Sequence, residues 1–237
     1  MFRLQDKDVL VIGLGLSGAA AARLLVARGA RVTAMDNSDT PALRREAEEL
    51  RELGVRVELD VRLAPAGQFD FAVVSPGVAL DSLLLKDLRQ REIPVISELE
   101  LGWQQAVCLN VSVTGTNGKT TTTELIAHLL THCHKRTRAV GNIGLPLCAV
   151  ADESKQLDYL TLEVSSFQLE TIRFFRPAVA VLLNITPDHL DRHHTMADYA
   201  RAKARIFENQ QPFDWAIVQT EALALLRTLG VKVSSKL

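Results

Sequence analysis

Short apolar segments alternate with longer amphipathic segments along the first part of the chain. The apolar segments predict buried strands at residues 9–12, 30–35, 71–74 and 93–96. The amphipathic segments predict helices at residues 18–28 and 41–53, which Gly29 and Gly54 end. Strands that alternate with helices are joined by right-handed crossovers, so this pattern predicts a parallel sheet with helices on both faces.

The same alternation starts again after Ser97. Strands are predicted at residues 109–113, 159–164, 178–183 and 215–218, and a helix is predicted at 119–131. We therefore expect two α/β domains, at residues 1–98 and 99–237. Residues 230–233 have the pattern of one more strand, with only four residues after them. The second domain is accordingly expected to be incomplete.

Composition narrows the classes of function. With 47% hydrophobic and 23% charged residues the chain has an ordinary globular composition, and its net charge of −1 gives no field that attracts nucleic acid or an anionic membrane. Any phosphate recognition must then be local. The three cysteines, Cys108, Cys133 and Cys148, form no CxxC pair, which argues against a disulfide framework or a thiolate zinc site. The charged N-terminal segment and the lack of a long apolar run predict a cytoplasmic protein.

The first chemical motif is Gly-Leu-Gly-Leu-Ser-Gly over residues 13–18, between a predicted strand and a predicted helix. In this GxGxxG pattern the glycines allow backbone N–H groups to approach a diphosphate at the helix N-terminus. Asp36 ends the next predicted strand and is a candidate acceptor for a sugar or base. Two other interpretations stay open: a tight turn that only allows packing, and a nicotinamide site of an oxidoreductase.

The second motif, over residues 111–121, again joins a strand, a glycine-containing loop and a helix. Val113 stands where the GxxxxGK[ST] pattern has its first glycine, but Gly115 and Gly118 still allow a tight P-loop of inward-facing amides. Lys119 is expected at the β- and γ-phosphates and the Thr120 hydroxyl at Mg²⁺. The alternative is an ordinary turn with an exposed lysine.

Two further clusters follow later strands. Glu163 comes directly after a strand, where a carboxylate can hold Mg²⁺ or simply act as a charge at a helix N-terminus. Residues 184–194 are rich in His and Asp, which favours metal ligands such as His189, and a zinc or two-metal hydrolase is an alternative. By composition alone, Lys203 lies on the solvated face of a basic helix.

Together these blocks resemble the Mur ligases, the ATP-dependent amide ligases that build the peptide stem of the bacterial cell-wall precursor. The most discriminating stretch is residues 162–170, Leu-Glu-Val-Ser-Ser-Phe-Gln-Leu-Glu, which is most similar to the D-glutamate-adding branch. Supporting stretches lie at residues 13–18, 74–78, 115–121, 141–144 and 188–192. The resemblance implies a Rossmann-like domain that binds the UDP part of the substrate, followed by a P-loop ATPase-type α/β domain.

The resemblance also implies roles for individual residues. The implied substrate-binding residues are Leu16, Ser17, Asp36, Gly77, Asn142 and His189. The implied ATP-binding residues are Gly115, Thr116, Asn117, Gly118, Lys119, Thr120 and Thr121. Two Mg²⁺ ions would be held by Thr120, Glu163, His189 and Lys203, with Lys203 converted by CO₂ into a carbamate. Asn37 and Ser38 depart from the residues found in relatives, where Thr and Arg can occur.

The implied reaction transfers the γ-phosphoryl group of ATP to the carboxylate of UDP-N-acetylmuramoyl-L-alanine, and the amine of D-glutamate then attacks the acyl phosphate. Lys119, Lys203 and His189 are the implied catalytic residues, on a monomer. Full Mur ligases have a third, C-terminal domain, so the resemblance implies that this chain is truncated and weak or inactive by itself. The alternative is a non-catalytic fragment that binds UDP-sugar.

Overall fold

The computed structural model describes residues 3–79 and 81–237, which divide into two compact units. The first unit extends to Gln105 and includes residues 146–149; the second comprises residues 106–145 and 150–237. Residues 99–105, which the sequence analysis assigned to the second domain, belong to a helix of the first unit that begins at Glu98.

The first unit is a parallel sheet with the strand order β3-β2-β1-β4-β5. Its elements are β1 (Asp8–Ile12), α1 (Leu16–Ala27), β2 (Arg31–Met35), α2 (Pro41–Glu52), β3 (Arg56–Glu58), β4 (Phe71–Val74), α3 (Leu83–Gln90), β5 (Val95–Ser97) and α4 (Glu98–Gln105). Central strands β1 and β4 are apolar on both faces and almost fully buried, as expected when helices cover both sides of a parallel sheet.

The second unit is also built on a parallel sheet, with the order β10-β9-β6-β8-β7. Its first elements are β6 (Leu109–Thr114), α5 (Lys119–His132), β7 (Thr137–Gly141), α6 (Leu147–Val150), a 3₁₀ turn (Glu153–Gln156), β8 (Tyr159–Glu163) and α7 (Ser166–Leu169). These are followed by β9 (Val179–Leu182), α8 (Leu190–His193), α9 (Met196–Ala204), a 3₁₀ turn (Arg205–Phe207), β10 (Trp215–Val218) and α10 (Thr220–Thr228).

The predicted α/β class with parallel sheets is confirmed, but one predicted strand is wrong. Residues 230–233 form no strand: Gly230 has a left-handed backbone, and in the described part of the chain the nearest pairing is an isolated bridge between Lys236 and Trp215. The sequence analysis also missed β3, α3, α4, β7, α6, α8 and α10.

Both sheets place their loops as parallel sheets do, with the segments that leave the strand carboxyl ends along one edge. In the first unit this edge carries the loops after β1, β2 and β4; in the second it carries the loops after β6, β7, β8 and β9. Ligands of open α/β sheets bind at this edge. None of the helices in the described residues has the length and apolar character that a membrane span requires.

Candidate active site

The first glycine loop follows β1 and is held by the ends of two neighbouring strands. Gly13 has a φ of +85°, and the Ser75 hydroxyl, at the end of β4, donates to its carbonyl at 2.9 Å. A Cβ at Gly18 would overlap the carbonyl oxygen of Gly13, so this glycine is required for the close approach of α1 to the loop.

Asp36 binds the loop itself. Its Oδ2 accepts from the backbone N–H of Leu14 at 2.7 Å, and its Oδ1 accepts from that of Ser38 at 3.0 Å. Both carboxylate oxygens therefore have protein donors. The sequence analysis expected Asp36 to face a sugar or base; in the structure it braces the turn that leads into α1.

Of the other predicted substrate residues of this unit, Leu16 and Ser17 lie at the start of α1, a helix end that lacks a side-chain cap, and Gly77 lies in the loop after β4. Helix α1 starts at Leu16, two positions before the predicted start, and Gly15 supplies no side-chain cap. In the described part of the chain no acceptor takes the N–H groups of residues 16–18. Leu16 and Gly77 are exposed. Such a helix N-terminus is suited to an anion.

The second glycine loop follows β6 and leads into α5. Gly115 and Gly118 have φ values of +156° and +82°, and a Cβ at Gly115 would lie 3.0 Å from the Cβ of Leu183. The amine of Lys119 folds back onto the carbonyl of Thr116 at 3.0 Å. Lys119 therefore stays at the loop and brings a positive charge to the helix N-terminus.

Glu163 joins three loops of the second unit. Its Oε2 accepts from the Thr120 hydroxyl at 2.6 Å, and its Oε1 accepts from Nδ2 of Asn142 at 2.7 Å. The side chain is almost fully buried. Gly141 permits this contact, since a Cβ there would lie 2.5 Å from the carbonyl oxygen of Glu163. Lys119, Thr120 and Glu163 thus share one edge of the sheet.

Lys203 is buried, with 2% of its surface exposed, so the expectation of a solvated face is wrong. Its amine donates to the carbonyl of Gly115 at 2.8 Å and lies 4.6 Å from the centre of the Tyr199 ring. Burial, helped by the positive charge of Lys119, lowers the pKa of Lys203 to about 7. A substantial fraction of this amine is neutral near pH 7.

His189 packs against the aromatic rings of Phe167 and Tyr199, the second of which also contacts Lys203. Its backbone is left-handed, with a φ of +52°, at the start of α8. Its ring lies 4.9 Å from that of Phe167 and 6.3 Å from that of Tyr199, and its Nε2 is 3.5 Å from Oδ2 of Asp188.

The His and Asp side chains of residues 184–194 do not form a metal-binding cluster by themselves. Within residues 3–79 and 81–237, no three His, Cys, Asp or Glu side chains are grouped so that they could hold a metal ion. The oxygen donors that do meet are those of Thr120 and Glu163.

Two residues to which the sequence analysis gave no role stabilise the second loop. The Tyr199 hydroxyl lies 3.2 Å from Oγ1 of Thr116, and Asn184 bonds to the backbone of Thr116 and Asn117. Asn184 directly follows β9 at the carboxyl edge, a position where short polar side chains often bond to neighbouring backbone. This position is the signal that could have identified it.

A second polar network ties the loop after β8 to the loop after β9. Arg192 donates to Glu170 at 2.6 Å, and Nε2 of His193 lies 3.0 Å from the Ser166 hydroxyl. Burial lowers the pKa of His193, which favours the neutral ring. The Arg192 guanidinium also covers the Phe167 ring at 4.1 Å. The network fixes the segment that carries His189.

Comparison with known proteins gives consistent matches in both halves of the chain. The family model described as the MurD-like N-terminal domain of Mur ligases matches residues 7–97, and that of the Mur ligase middle domain matches residues 113–232. Two similar curated proteins are UDP-N-acetylmuramoylalanine–D-glutamate ligases. That of Koribacter versatilis is 46% identical over 92% of this chain and 48% of its own length, and that of Acidobacterium capsulatum is 44% identical over 99% and 51%.

The chain thus spans about half the length of the curated relatives it matches. A similar solved structure is the UDP-N-acetylmuramate:L-alanyl-γ-D-glutamyl-meso-diaminopimelate ligase from Neisseria meningitidis. It has a TM-score of 0.61 and 18% identity, over 98% of this chain and 76% of that one, and this likeness supports the fold. The middle-domain match alone covers half of the chain, and the expected resemblance is confirmed: the chain belongs to the Mur ligase family.

Proposed function

We propose that this chain carries the sugar-nucleotide-binding and ATP-binding residues of a cytoplasmic, monomeric ligase that joins D-glutamate to UDP-N-acetylmuramoyl-L-alanine. The names of the relatives support the substrates. The observation that carries the proposal is the arrangement of Lys119 and Thr120 beside the buried carboxylate of Glu163. A cation, a helix N-terminus and a carboxylate at one sheet edge suit the transfer of a phosphoryl group.

In the proposed reaction a substrate carboxylate oxygen attacks the γ-phosphorus of ATP, the bond to the bridging oxygen breaks, and ADP leaves. The amine of D-glutamate then attacks the acyl carbon, phosphate leaves with the bonding electrons, and the amine loses a proton. Lys119 and the backbone N–H groups at the start of α5 bind the phosphates and neutralise their charge. The protein's contribution is mainly this neutralisation and the alignment of the reacting groups.

The residues at the second loop fit Mg²⁺, which prefers hard oxygen ligands. The Thr120 hydroxyl and the Glu163 carboxylate are already in contact, at 2.6 Å. We assign them to one ion, with Glu163 shared by a second ion that His189 and a modified Lys203 also bind. Bound Mg²⁺ would neutralise charge on the phosphoryl oxygens. Asn142 holds the carboxylate of Glu163 in place.

We further propose that Lys203 is carbamylated. The neutral amine attacks the carbon of CO₂, an N–C bond forms, and the nitrogen releases one proton, which leaves an anionic carbamate. Burial of the amine near Lys119 supports the modification, because both factors disfavour an ammonium there. Enrichment with ¹³C-bicarbonate is expected to give a carbamate resonance that a Lys203→Met variant lacks.

In the first unit we propose that the N-terminus of α1 binds the diphosphate of the sugar nucleotide. Leu16 and Ser17 begin this helix, Gly77 lies in the loop after β4 at the same edge of the sheet, and Asp36 fixes the loop that leads into α1. The unoccupied N–H groups of residues 16–18 support this assignment.

Calorimetric titration of the 237-residue chain tests the proposal. Wild type is expected to bind both UDP-N-acetylmuramoyl-L-alanine and Mg·ATP. Lys119→Met is expected to weaken Mg·ATP binding by about ten- to a hundredfold, since it removes a charged hydrogen bond of about 1.5–3 kcal/mol. Lys155→Met is the matched control, because this exposed lysine pairs with the exposed Asp152 on the surface. Failure of wild type to bind Mg·ATP, or equal affinities in the two variants, would contradict the proposal.

A further inference from the structure

Asn184 makes a set of contacts that only a carboxamide can complete. Its Oδ1 accepts from the backbone N–H groups of Thr116, at 3.0 Å, and Asn117, at 2.9 Å. Its Nδ2 donates to the carbonyl of Asn117 at 3.0 Å. An aspartate could accept both N–H groups but could not donate to the carbonyl, and an alanine could do neither. The side chain therefore matches this stretch of loop in both acceptor and donor.

These contacts divide the N–H groups of the second glycine loop into two sets. Those of Thr116 and Asn117 are taken by Asn184, whereas no acceptor in the described residues takes those of residues 118–121. The unoccupied set adjoins Lys119 at the start of α5, a helix of 14 residues. The anion-binding part of the loop is thus the part that Asn184 leaves open.

The sequence of the loop explains why it needs an external brace. Val113, which stands where a P-loop pattern has its first glycine, is a fully buried residue of β6. The loop therefore begins only at Gly115 and is short. A second contact that stabilises the loop is made by the Thr116 hydroxyl, which accepts from the N–H of Thr186 at 3.0 Å. Both braces come from the segment that follows β9.

We propose that Asn184 is a positioning residue for ATP: it fixes the first half of the loop so that the N–H groups of residues 118–121 and the amine of Lys119 converge on the phosphates. The inference rests on the proposed function. It gives Asn184 no contact with the reacting atoms; its effect passes through the backbone of Thr116 and Asn117.

Two variants and a matched control test this role. Asn184→Ala removes every side-chain contact but keeps the bond from the N–H of Thr116 to the backbone carbonyl of residue 184, at 3.1 Å. Asn184→Asp keeps the shape and the acceptors but adds a charge and loses the donor. Asn209→Asp is the control, because Asn209 is also partly buried and also ties backbone segments together, through bonds to the carbonyls of Arg173 and Phe175. It carries the same charge change away from the loop.

The first readout is amide hydrogen exchange without any ligand, followed by NMR. Asn184→Ala is expected to speed exchange of the Asn117 amide, which loses its acceptor, about tenfold or more. A smaller change is expected at Thr116, whose N–H keeps the backbone carbonyl of residue 184, and little change in the strands of the second unit. The second readout is the affinity for inorganic tripolyphosphate and for Mg·ATP. Both Asn184 variants are expected to bind about tenfold or more weakly than wild type, and Asn209→Asp within about twofold.

The outcomes separate the inference from the proposed function. If wild type binds neither triphosphate, the proposed function fails, and the role of Asn184 toward ATP fails with it. If wild type binds and the folded Asn184 variants bind equally well, only the inference is overturned, even where the variants unfold more easily. Faster exchange at Asn117 together with weaker binding supports it.

Discussion

The two glycine loops have similar places in their sheets but are built differently. The first is held by Asp36 and Ser75 and has no cationic side chain among residues 13–18. The second is held by the neutral side chain of Asn184 and carries Lys119, with Lys203 buried beneath it. A glycine pattern therefore specifies the shape of such a loop, whereas its charge is set by residues that follow the glycines or lie on other strands.

The glycines themselves have different reasons to be present. In the first loop the constraint is contact, since a Cβ at Gly18 would overlap backbone and one at Gly13 would lie 2.9 Å from the Ser75 Cβ. In the second loop the constraint at Gly118 is a left-handed backbone, and its Cβ would meet only a side-chain carbon at 3.6 Å. Steric fit at Gly18 therefore adds to the hydrogen bonds of Asp36 and Ser75 in the first loop, whereas Gly118 in the second loop is needed for its backbone conformation.

The largest effect is therefore expected from Gly18→Ala. The added methyl would force α1 away from the carbonyl of Gly13, and we expect the free energy of unfolding of the first unit to fall by about 3–5 kcal/mol. The chain has one tryptophan in each unit, Trp103 and Trp215. Urea unfolding followed by fluorescence in a Trp215→Phe background reports on the first unit.

Gly15→Ala is the matched control, because a Cβ at Gly15 would have no neighbour within 4 Å and its φ is −66°. Its effect on unfolding is expected to stay below about 1 kcal/mol. Equal destabilisation by the two variants would show that the first loop is not fixed by steric fit and would remove this contrast between the units.

The fold was largely predictable because its signals are local. Central strands such as β1 and β4 are unbroken apolar segments, and glycines mark the ends of helices. The exact ends of the strands were less predictable. The strand expected from Ile93 starts at Val95, since the N–H of Ile93 bonds to Leu88 at the end of α3 and Pro94 has no N–H. Segment 230–233 has strand-like composition but no ladder partner in the described residues.

The site was predictable where a motif carries the chemistry, as with Lys119, Thr120 and Glu163. Contacts between loops were not predictable, because the sequence alone does not indicate which side chain bonds to the backbone of a distant loop. Asn184 and Tyr199 lie more than sixty residues from the loop they brace. The burial of Lys203 could not be predicted for the same reason: Arg201 on α9 and Arg205 directly after it are basic neighbours that predict a solvated face.

The pH dependence of the free energy of unfolding is expected to differ between the two units. Glu98 is buried in the first unit; its Oε1 accepts from the N–H of Cys148 at 2.6 Å, and its Oε2 has no hydrogen-bond partner among the described residues. Burial raises the pKa of Glu98 from 4.5 to about 7. The folded state thus binds a proton that the unfolded state has released, and stability falls as pH rises through this window.

Glu98→Gln keeps the acceptor for Cys148 and removes the charge. At about pH 8 we expect it to raise the free energy of unfolding of the first unit by about 1–3 kcal/mol, with little change at about pH 4. The measurement is urea unfolding across pH, with Trp103 as reporter. An unchanged pH profile in Glu98→Gln would exclude Glu98 as the source of the slope.

The second unit supplies the internal comparison for that experiment. Because the pKa of Lys203 is lowered from 10.5 to about 7, the unfolded state binds the extra proton, and stability contributed by Lys203 rises with pH through that window. Trp215 should report this opposite slope, unaffected by Glu98→Gln.

The smallest effect is expected from Asp36, where the question is whether it braces the loop or contacts the ligand. Asp36→Ala leaves the N–H of buried Leu14 without an acceptor, and we expect a loss of about 1–2 kcal/mol in the stability of the first unit. Affinity for UDP-N-acetylmuramoyl-L-alanine should fall about tenfold, because the loop before α1 loosens. Asp39→Ala, which removes an exposed carboxylate paired with Arg44, should change both quantities little.

The two measurements together decide between the roles. A brace must lose stability in the absence of ligand, since the bond to Leu14 exists without it, and the affinity falls as a consequence. A direct ligand contact predicts the opposite pattern, in which affinity falls while urea unfolding of the free chain is unchanged. That pattern would make Asp36 part of the binding surface, and the first loop would then differ from the second in having an anionic side chain directed at its ligand instead of at its own backbone.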